Sequence, residues 1–440
     1  MACLDGSRIW PSTVGVGQAG RNGAREVTVR EQVALAAYTT LGLGGPADHL
    51  IEGDSDEQIV STVRAADQRG DPVLVLGGGS NLVVADAGFP GTVVRMATRG
   101  IAAVPDGSRV AVSVAAGEDW DAVVRWCVGG GLSGLECLSG IPGLAGAAPI
   151  QNVGAYGQDV AETIIAVRAY DRRRGAVTVL TNAECGFGYR TSAFKRAAVT
   201  GADPAMAAGF AAAAASGAPA AAGAAAAGAG VPAASGTPAV GAATGRFVVL
   251  GVTFRLARDR LSSPVRYAEL ARSLGIAEGG RAPLADARAA VLRLRRGKGM
   301  VLDPADPDTR SAGSFFTNPV LDQAQLAAVE KAACAACGPG THVPRFPAES
   351  GLVKVPAAWL IERAGFRKGY AGDGRPVPSG QPGQGLPGPR ISTKHTLALV
   401  NPGGATTVAL LALAREIRDG VRETFGVDLV SEPVLVGAEL

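Results

Sequence analysis

The chain has 440 residues, of which 47% are apolar and 18% are charged, and its formal net charge is +3. This composition predicts a globular protein of two or three domains, each with its own core. The small net charge, without a long basic run among aromatic residues, argues against nucleic-acid binding. Asp5 and Arg8 precede any apolar run, so we expect no secretory signal. The longest uncharged stretch, 204–245, is too weakly apolar to span a membrane, and we expect a soluble, cytoplasmic protein.

A glycine-rich loop follows the first predicted helix and strand. We expect residues 1–30 to be a flexible lead-in, and apolar spacing predicts a helix over Asp56–Gln68 and a buried strand over Val73–Leu76. Strand character resumes at Leu82–Val84, so the loop joins strand to strand. It therefore lacks the helix N-terminus of a Rossmann site, and its own N–H groups would have to bind a phosphate; a tight hairpin is the alternative. The loop residues are Gly77, Gly78, Gly79, Ser80 and Asn81.

Another glycine pattern, Gly15–Gly20, fits G-x-G-x-x-G. That pattern indicates a dinucleotide site only between a strand and a helix. Trp10–Thr13 before it and Arg21–Gly23 after it fit neither element, so we assign no site there.

The passage from Gly134 to Gly157 is unusually rich in glycine and proline. It follows a predicted amphipathic helix around Trp120–Cys127. Its low charge and many exposable backbone amides would let it lie against a large flat ligand, whereas the alternative is an irregular core loop. Strands are predicted next, at Ile164–Tyr170 and Ala176–Leu180.

Arg190 lies between Tyr189 and the hydroxyls of Thr191 and Ser192. This setting suits a bidentate clamp on a carboxylate, although a solvated surface arginine is the commoner case. The stretch 197–245 is nearly all Ala, Gly, Pro, Ser and Thr, which predicts a low-complexity insertion. Strand patterns resume after it.

Two clusters in the last third have both a chemical and a structural interpretation. Asp303, Asp306 and Asp308 are interleaved with prolines, which favours a capped turn over a metal site. Cys334 and Cys337 form one Cys-x-x-Cys without a second pair, so the end of a helix is favoured over a redox dithiol. We expect no bound metal.

Gly313–Pro319 places a lone hydroxyl, Ser314, beside a glycine and two aromatic residues. Glycine permits close approach, the aromatic rings can exclude water, and Pro319 biases Asn318 to an extended conformation. One hypothesis is a serine that delivers a proton to a carbon shielded from water. The other is a turn serine that caps a helix predicted over Pro319–Ala336.

The C-terminal part alternates helical and irregular patterns. Helices are predicted over Pro356–Arg363 and around Leu410–Val421, and the Gly/Pro-rich stretch 371–390 is predicted as a second flexible insertion. The chain then carries Glu432 within a predicted strand, Leu429–Val434.

Five of these motifs occur in one order over nearly the whole chain, and together they resemble the UDP-N-acetylenolpyruvoylglucosamine reductase family. The resemblance runs from about Tyr38 to Val436, apart from the two insertions. The motifs are Gly77–Asn81, Ile141–Gly157, Gly188–Lys195, Gly313–Pro319 and Ser431–Pro433.

The resemblance implies an FAD enzyme that uses NADPH to reduce an enolpyruvyl UDP-sugar for peptidoglycan synthesis. It implies that Ser314 protonates C2 of the substrate, Arg190 clamps the carboxylate and Glu432 helps to polarise it. Substrate contacts are implied for Tyr189, Tyr267, Lys298 and Asn318. The implied FAD contacts are Gly77, Gly78, Gly79, Ser80, Asn81, Ile141, Pro142, Gly143, Gln151, Asn152, Gly154 and Arg295.

The implied architecture is an α+β, three-domain flavoenzyme with a non-Rossmann FAD-binding fold. One FAD-binding subdomain is expected over 31–95 with the C-terminal strand 429–440, and a second over 96–301. A substrate domain is expected over 302–428. We expect a monomer; the alternatives are another flavoenzyme of this fold or a non-catalytic flavin- or nucleotide-binding protein.

Overall fold

The computed structural model describes residues 28–200, 245–348, 351–372 and 388–440. The predicted lead-in up to residue 27, the G-x-G-x-x-G match and most of both predicted insertions lie outside these ranges. Within them, no helix combines the length and the apolar character needed to cross a membrane. The folded chain combines helices with mostly antiparallel sheets.

The first region is a four-stranded sheet in the order β1-β2-β5-β3, in which β2, β5 and β3 run parallel. Both ends of helix α1 are capped by its own flanking residues. The Ser55 side chain accepts a hydrogen bond from the Gln58 N–H at the start, and Gly70 takes a left-handed conformation at the end. The predicted helix and both predicted strands are confirmed. The elements are β1 (Val29–Ala34), β2 (Pro46–Gly53), α1 (Asp56–Arg69), β3 (Val73–Leu76), β4 (Leu82–Val84) and β5 (Phe89–Met96).

The second region is built on an antiparallel sheet in the order β12-β11-β13-β7-β6, with β8 also paired to β13. Phe247–Leu250 and Val252–Leu256 belong to one long strand, in which Gly251 pairs with Ala115 and Arg168 on either side. The strands are β6 (Ile101–Asp106), β7 (Arg109–Ala115), β8 (Leu132–Ser133), β9 (Gly154–Ala155), β10 (Gln158–Asp159), β11 (Ile164–Asp171), β12 (Ala176–Thr181) and β13 (Phe247–Arg258). The helices are α2 (Trp120–Gly129), α3 (Asn182–Cys185), α4 (Ala193–Thr200), α5 (Ala268–Leu274) and α6 (Leu284–Gly297).

The third region packs helices against two small sheets. Its strands are β14 (Ser311–Ser314), β15 (Val320–Leu321), β16 (Phe346–Pro347), β17 (Val353–Lys354), β18 (Arg390–Ile391) and β19 (Ala398–Val400), and its helices are α7 (Gln323–Cys337), α8 (Ala357–Arg363) and α9 (Thr407–Phe425). The predicted start of α7 at Pro319 is wrong. Val320–Leu321 instead pairs with β17, and the Asp322 side chain caps the helix by accepting from the Gln325 N–H.

The C-terminal segment connects the first and third regions. Strand β20 (Val434–Val436) pairs in parallel with β4, and the Val434 N–H donates to the Asn81 carbonyl at 2.9 Å. The strand predicted over Leu429–Val434 is therefore displaced toward the C-terminus. Just before it, the Glu432 N–H donates to the Phe315 carbonyl at 2.9 Å. One short segment thus touches both the glycine loop and the Ser314 loop.

The side chains of Asp306 and Asp308 bind other residues of the protein. Asp306 accepts from the Asp308 N–H and pairs with Lys394, while Asp308 pairs with Arg390 at 3.0 Å. These contacts support the capped-turn interpretation. Cys334 and Cys337 lie in the last turns of α7, the first exposed and the second half-buried.

Candidate active site

The glycine loop between β3 and β4 lies against the Ile141–Gly143 passage. The Ser80 hydroxyl donates to the Pro142 carbonyl at 2.9 Å. A Cβ at Gly78 would lie 2.7 Å from the Gly143 Cα, which is closer than side-chain carbons approach. The close approach of these two backbones therefore requires glycine.

The backbone N–H groups of Gly77–Asn81 donate no hydrogen bond to any residue in the ranges that the structure describes. A simple hairpin would use some of these groups in cross-strand bonds. Consecutive unpaired N–H groups in a glycine turn instead form a concave anion site of the kind that holds a pyrophosphate. Below the loop, the Asn81 side chain donates to the Gln151 side chain at 3.0 Å and to the Glu432 carbonyl at 3.4 Å. The donor set fits the diphosphate of FAD.

Gly79→Ala should abolish or strongly weaken FAD binding. Gly79 has a φ of 60°, and an added Cβ would lie 1.9 Å from the Tyr38 carbonyl oxygen, so the loop would have to move. Visible flavin absorbance per protein after purification measures the effect. Gly107→Ala is the matched control, because Gly107 has a φ of 61° and nothing within 4 Å of the added carbon. Equal flavin content in both variants would contradict the assignment.

Arg190 occupies a left-handed backbone conformation with a φ of 52°. Its guanidinium donates from Nη1 to the Asn152 carbonyl at 3.2 Å and from Nη2 to the Gly154 carbonyl at 2.6 Å. Its Nε lies 3.2 Å from Glu432 Oε1, and Nη1 lies 3.6 Å from Asp159 Oδ1. Two of the five N–H groups therefore donate to backbone carbonyls, while Nε and Nη1 also face the carboxylates of Glu432 and Asp159.

Asn152 supports the arginine turn. Its side-chain amide donates to the Gly188 carbonyl at 3.1 Å, and its side-chain oxygen accepts from the Ala161 N–H at 3.1 Å. With its carbonyl bound to Arg190, its polar side-chain atoms and carbonyl are all engaged. A flavin contact by Asn152 would therefore be made by packing.

Glu432 faces Arg190 from the C-terminal segment. Burial raises the pKa of its carboxyl above the usual value, and the nearby charges of Arg190 and Lys195 act in the opposite direction. A glutamic acid tuned in this way is protonated over a wider pH range than an exposed one. It can then donate a hydrogen bond to an anionic ligand.

Ser314 is the last residue of β14 and precedes Phe315, whose carbonyl accepts the hydrogen bond from Glu432. The Phe315 N–H donates to the Leu397 carbonyl at 2.7 Å, and the buried Phe315 and Phe316 rings pack edge to face at 5.2 Å. The Ser314 hydroxyl has no hydrogen bond to another described residue. The alternative of a helix-capping serine is wrong, because Asp322 caps α7.

Tyr189 and Asn318 lie beside a cavity of about 570 Å³ that Arg190 and Lys195 also line. The Tyr189 ring carries Lys354 Nζ at 3.8 Å from its centroid. The Asn318 side-chain oxygen accepts from the Ala357 N–H at 2.9 Å at the start of α8. This contact fixes the Asn318 side chain.

Tyr267 and Lys298 belong to a second group of predicted ligand contacts. The half-exposed Tyr267 ring packs edge to face on Tyr156 at 5.4 Å, and Lys298 Nζ lies 2.7 Å from Glu269 Oε2. Arg295 donates from Nη2 to the Met300 carbonyl at 2.9 Å, and burial lowers its pKa to about 10.

Arg295 Nε is buried and has no partner among the described residues. It lies 3.6 Å from the position of a Cβ on Gly140, next to the Ile141–Gly143 passage. A buried, unpaired donor at this edge of the passage fits a bound polar group.

Three charged residues around Arg190 were not singled out by the sequence. Asp159 follows the Tyr156-Gly157 turn, Lys195 lies five residues after Arg190, and Lys354 comes from β17 in the third region. The spacing of Lys195 from Arg190 was a usable signal, because both fall in the Gly188–Lys195 motif. Lys354 had no local signal, since only the folded chain brings it to Tyr189.

Comparison with known proteins places these motifs in a family. A profile described as an FAD binding domain matches residues 47–181, and one described as the C-terminal domain of UDP-N-acetylenolpyruvoylglucosamine reductase matches residues 304–436. The chain is 51% identical over 409 residues to the UDP-N-acetylenolpyruvoylglucosamine reductase of Thermobifida fusca, covering 93% of this chain and 98% of that protein. The protein of the same name from Saccharopolyspora erythraea is 50% identical, with 92% and 95% covered.

A solved structure supports the fold. The UDP-N-acetylenolpyruvylglucosamine reductase of Thermus caldophilus matches with a TM-score of 0.51 at 23% identity, covering 93% of this chain and 99% of that one. The predicted fold class, a mixed α and β flavoenzyme without a Rossmann site, is confirmed by this match and the FAD-domain profile. With half of its residues identical to relatives over nearly its full length, the chain belongs to the UDP-N-acetylenolpyruvoylglucosamine reductase family.

Proposed function

We propose that this protein reduces UDP-N-acetylglucosamine enolpyruvate to UDP-N-acetylmuramate in bacterial peptidoglycan synthesis, using FAD and NADPH. The observation that carries the proposal is the convergence of the Ser314 loop with the Arg190–Glu432 pair. The Glu432 N–H binds the Phe315 carbonyl at 2.9 Å, while the Glu432 carboxyl lies 3.2 Å from Arg190 Nε. Glu432 is thus in contact with the backbone next to Ser314 and with the side chain of Arg190, which supports a shared role for the three residues.

FAD, when bound, would supply the two-electron chemistry needed to move a hydride from NADPH to C3 of the enol ether. The N–H groups of Gly77–Asn81 would hold the diphosphate of the cofactor, with Ile141–Gly143 packed against them. Gln151, Asn152, Gly154 and Arg295 are proposed to line the rest of the flavin.

Arg190 and Glu432 act on the substrate carboxylate. Hydride arriving at C3 leaves negative charge on C2, which is delocalised into the adjacent carboxylate. The guanidinium of Arg190 would stabilise that charge, and a protonated Glu432 would add a hydrogen bond. An ionised Glu432 would instead repel it.

Ser314 completes the reaction by delivering a proton to C2. A serine hydroxyl is a weak acid in water, but opposite a carbanion it need only be close and oriented. The buried Phe315 and Phe316 rings behind it limit access of water to that carbon. The net change is one hydride at C3 and one proton at C2.

The remaining substrate contacts follow the chemistry of the side chains. Lys298 is proposed to bind the UDP diphosphate, which requires it to exchange Glu269 for the ligand. Tyr189, Tyr267 and Asn318 are proposed to contact the sugar nucleotide. A monomeric state and a cytoplasmic location stay predictions.

Replacing Glu432 tests whether the protonated or the ionised form of this carboxyl supports the reaction with substrate. Glu432→Gln retains an N–H donor and should keep a measurable rate of flavin reoxidation by substrate, whereas Glu432→Ala should lose about 100-fold. Since the raised pKa makes the parent rate fall as pH increases through that pKa, Glu432→Gln should lose this basic limb. Anaerobic stopped-flow spectroscopy across pH measures both. A glutamine variant as slow as the alanine variant would point to an ionised Glu432.

The function itself is tested by absorption spectroscopy on the purified protein. We expect a flavin spectrum that NADPH bleaches under anaerobic conditions and that enolpyruvyl UDP-N-acetylglucosamine restores. Reoxidation by oxygen but not by this substrate would favour another flavin oxidoreductase of the same fold. A protein that binds flavin but shows neither half-reaction would be non-catalytic.

A further inference from the structure

Lys195 lies in the first turn of α4, directly behind Arg190. Its ammonium donates to the Arg190 carbonyl at 3.2 Å, and its N–H donates to the Ser192 hydroxyl at 3.3 Å. No carboxylate among the described residues lies within ion-pairing distance of this half-buried cation. The ammonium lies beside the cavity that Tyr189 and Asn318 also line, and it is held there by the Arg190 carbonyl.

The first part of the role of Lys195 concerns the backbone of Arg190. A φ of 52° is uncommon for a residue with a side chain and persists only where the surroundings enforce it. The turn is closed by an antiparallel bridge between Gly188 and Thr191. Lys195 binds the carbonyl oxygen of this strained residue. It therefore holds the Arg190 backbone in the conformation that directs the Arg190 side chain toward Glu432.

The second part concerns charge. Glu432 pairs with Arg190 at 3.2 Å, and the charge of Lys195, from beyond ion-pairing distance, acts with Arg190 to lower a carboxyl pKa that burial raises. Burial lowers the pKa of Lys195 itself, while Glu432 acts in the opposite direction. Tyr189 is the other titratable group that interacts with Glu432. Around Arg190 the further charges are Asp159 and Lys354.

We propose that Lys195 is a positioning residue of the active site: it fixes the Arg190 backbone through the Arg190 carbonyl and adds a second positive charge to the surroundings of Glu432. Lys195 acts through these two residues and needs no contact with the substrate. The inference rests on the proposed function for its kinetic consequence. Its electrostatic consequence is independent of any substrate.

Lys195→Met and Lys195→Arg test the two parts. Reduction of the flavin by NADPH and its reoxidation by the enolpyruvyl substrate are measured separately. We expect Lys195→Met to bind FAD and to be reduced by NADPH at the parent rate. Its reoxidation by the enolpyruvyl substrate should slow on the order of 10- to 100-fold, as expected for a displaced catalytic group. The basic limb of that reaction should also move to higher pH. Lys195→Arg, which keeps the charge, should retain the parent limb.

Isotope-edited infrared titration of the Glu432 carboxyl provides a readout that needs no substrate, with the band identified by its loss in Glu432→Gln. The carboxyl should titrate at higher pH in Lys195→Met than in the parent or in Lys195→Arg. An unchanged Glu432 titration, together with a parent-like reoxidation rate, overturns the inference. If the parent itself fails to reduce the substrate, the proposed function fails, and the titration still decides the role of Lys195. If Lys195→Met does not fold, Lys195→Gln replaces it with the same expected results.

Discussion

Ser314→Ala should slow reoxidation of the reduced flavin by the enolpyruvyl substrate about 1,000-fold, because a positioned general acid contributes roughly that much. FAD content and reduction by NADPH should stay at the parent level, since the Ser314 hydroxyl has no hydrogen bond to another described residue. Anaerobic stopped-flow spectroscopy separates the two half-reactions. The yellow, reducible but slowly reoxidised protein is the expected signature of a lost proton donor.

Ser61→Ala is a matched control for this change. Ser61 lies on the exposed side of α1 and donates only to the Gln58 carbonyl, so its loss should leave both half-reactions unchanged. If Ser314→Ala is reoxidised at the parent rate, Ser314 is not the proton donor. A loss of flavin together with activity would instead indicate a structural defect in the Gly313–Pro319 loop.

Arg190→Met should slow the same half-reaction by about 100- to 1,000-fold, the usual effect of removing one group that stabilises developing negative charge. Arg190→Lys keeps the charge but cannot reach the Asn152 carbonyl, the Gly154 carbonyl and Glu432 together, so it should recover only part of the rate. Substrate KM should rise in both variants, because the guanidinium is expected to bind the carboxylate in the ground state as well. NADPH reduction measures whether the flavin site is intact. Full activity of the lysine variant would show that a point charge suffices and that the fork geometry is irrelevant.

Local patterns were sufficient where an element is determined by its own residues. The apolar run Val73–Leu76, the glycine loop after it and the resumed strand at Leu82–Val84 are all present in the structure. The same is true of α1, whose capping serine and terminal glycine are encoded within the segment. The order of such motifs along the chain also identified the family.

Tertiary pairing decided the cases in which local patterns failed. Pro319–Leu321 continues the helical apolar pattern of α7, but Val320–Leu321 is taken up by β17, so the helix starts at Gln323. Leu429–Val434 is predicted as a strand interrupted by an acidic residue, yet the strand that pairs with β4 is Val434–Val436. In both places the partner lies too far along the chain for a local pattern to reveal it.

The candidate site shows the same division. Ser314, Arg190 and Glu432 could be named from motifs, whereas the left-handed conformation of Arg190 and the approach of Asp159 depend on the folding of the second region. Lys354 reaches the site from the third region. The cation–π contact of Lys354 with the Tyr189 ring depends on the pairing of β17, which carries Lys354, with β15. Such contacts between distant parts of the chain are not visible in a local motif.

A single-turnover experiment tests the proposed reaction most directly. The FAD-loaded parent protein is reduced with one equivalent of NADPH without oxygen and then mixed with one equivalent of UDP-N-acetylglucosamine enolpyruvate. We predict that the flavin spectrum returns and that one equivalent of UDP-N-acetylmuramate forms at the same rate. A flavin that stays reduced until oxygen is admitted, with the enolpyruvyl sugar recovered unchanged, would contradict the proposed function.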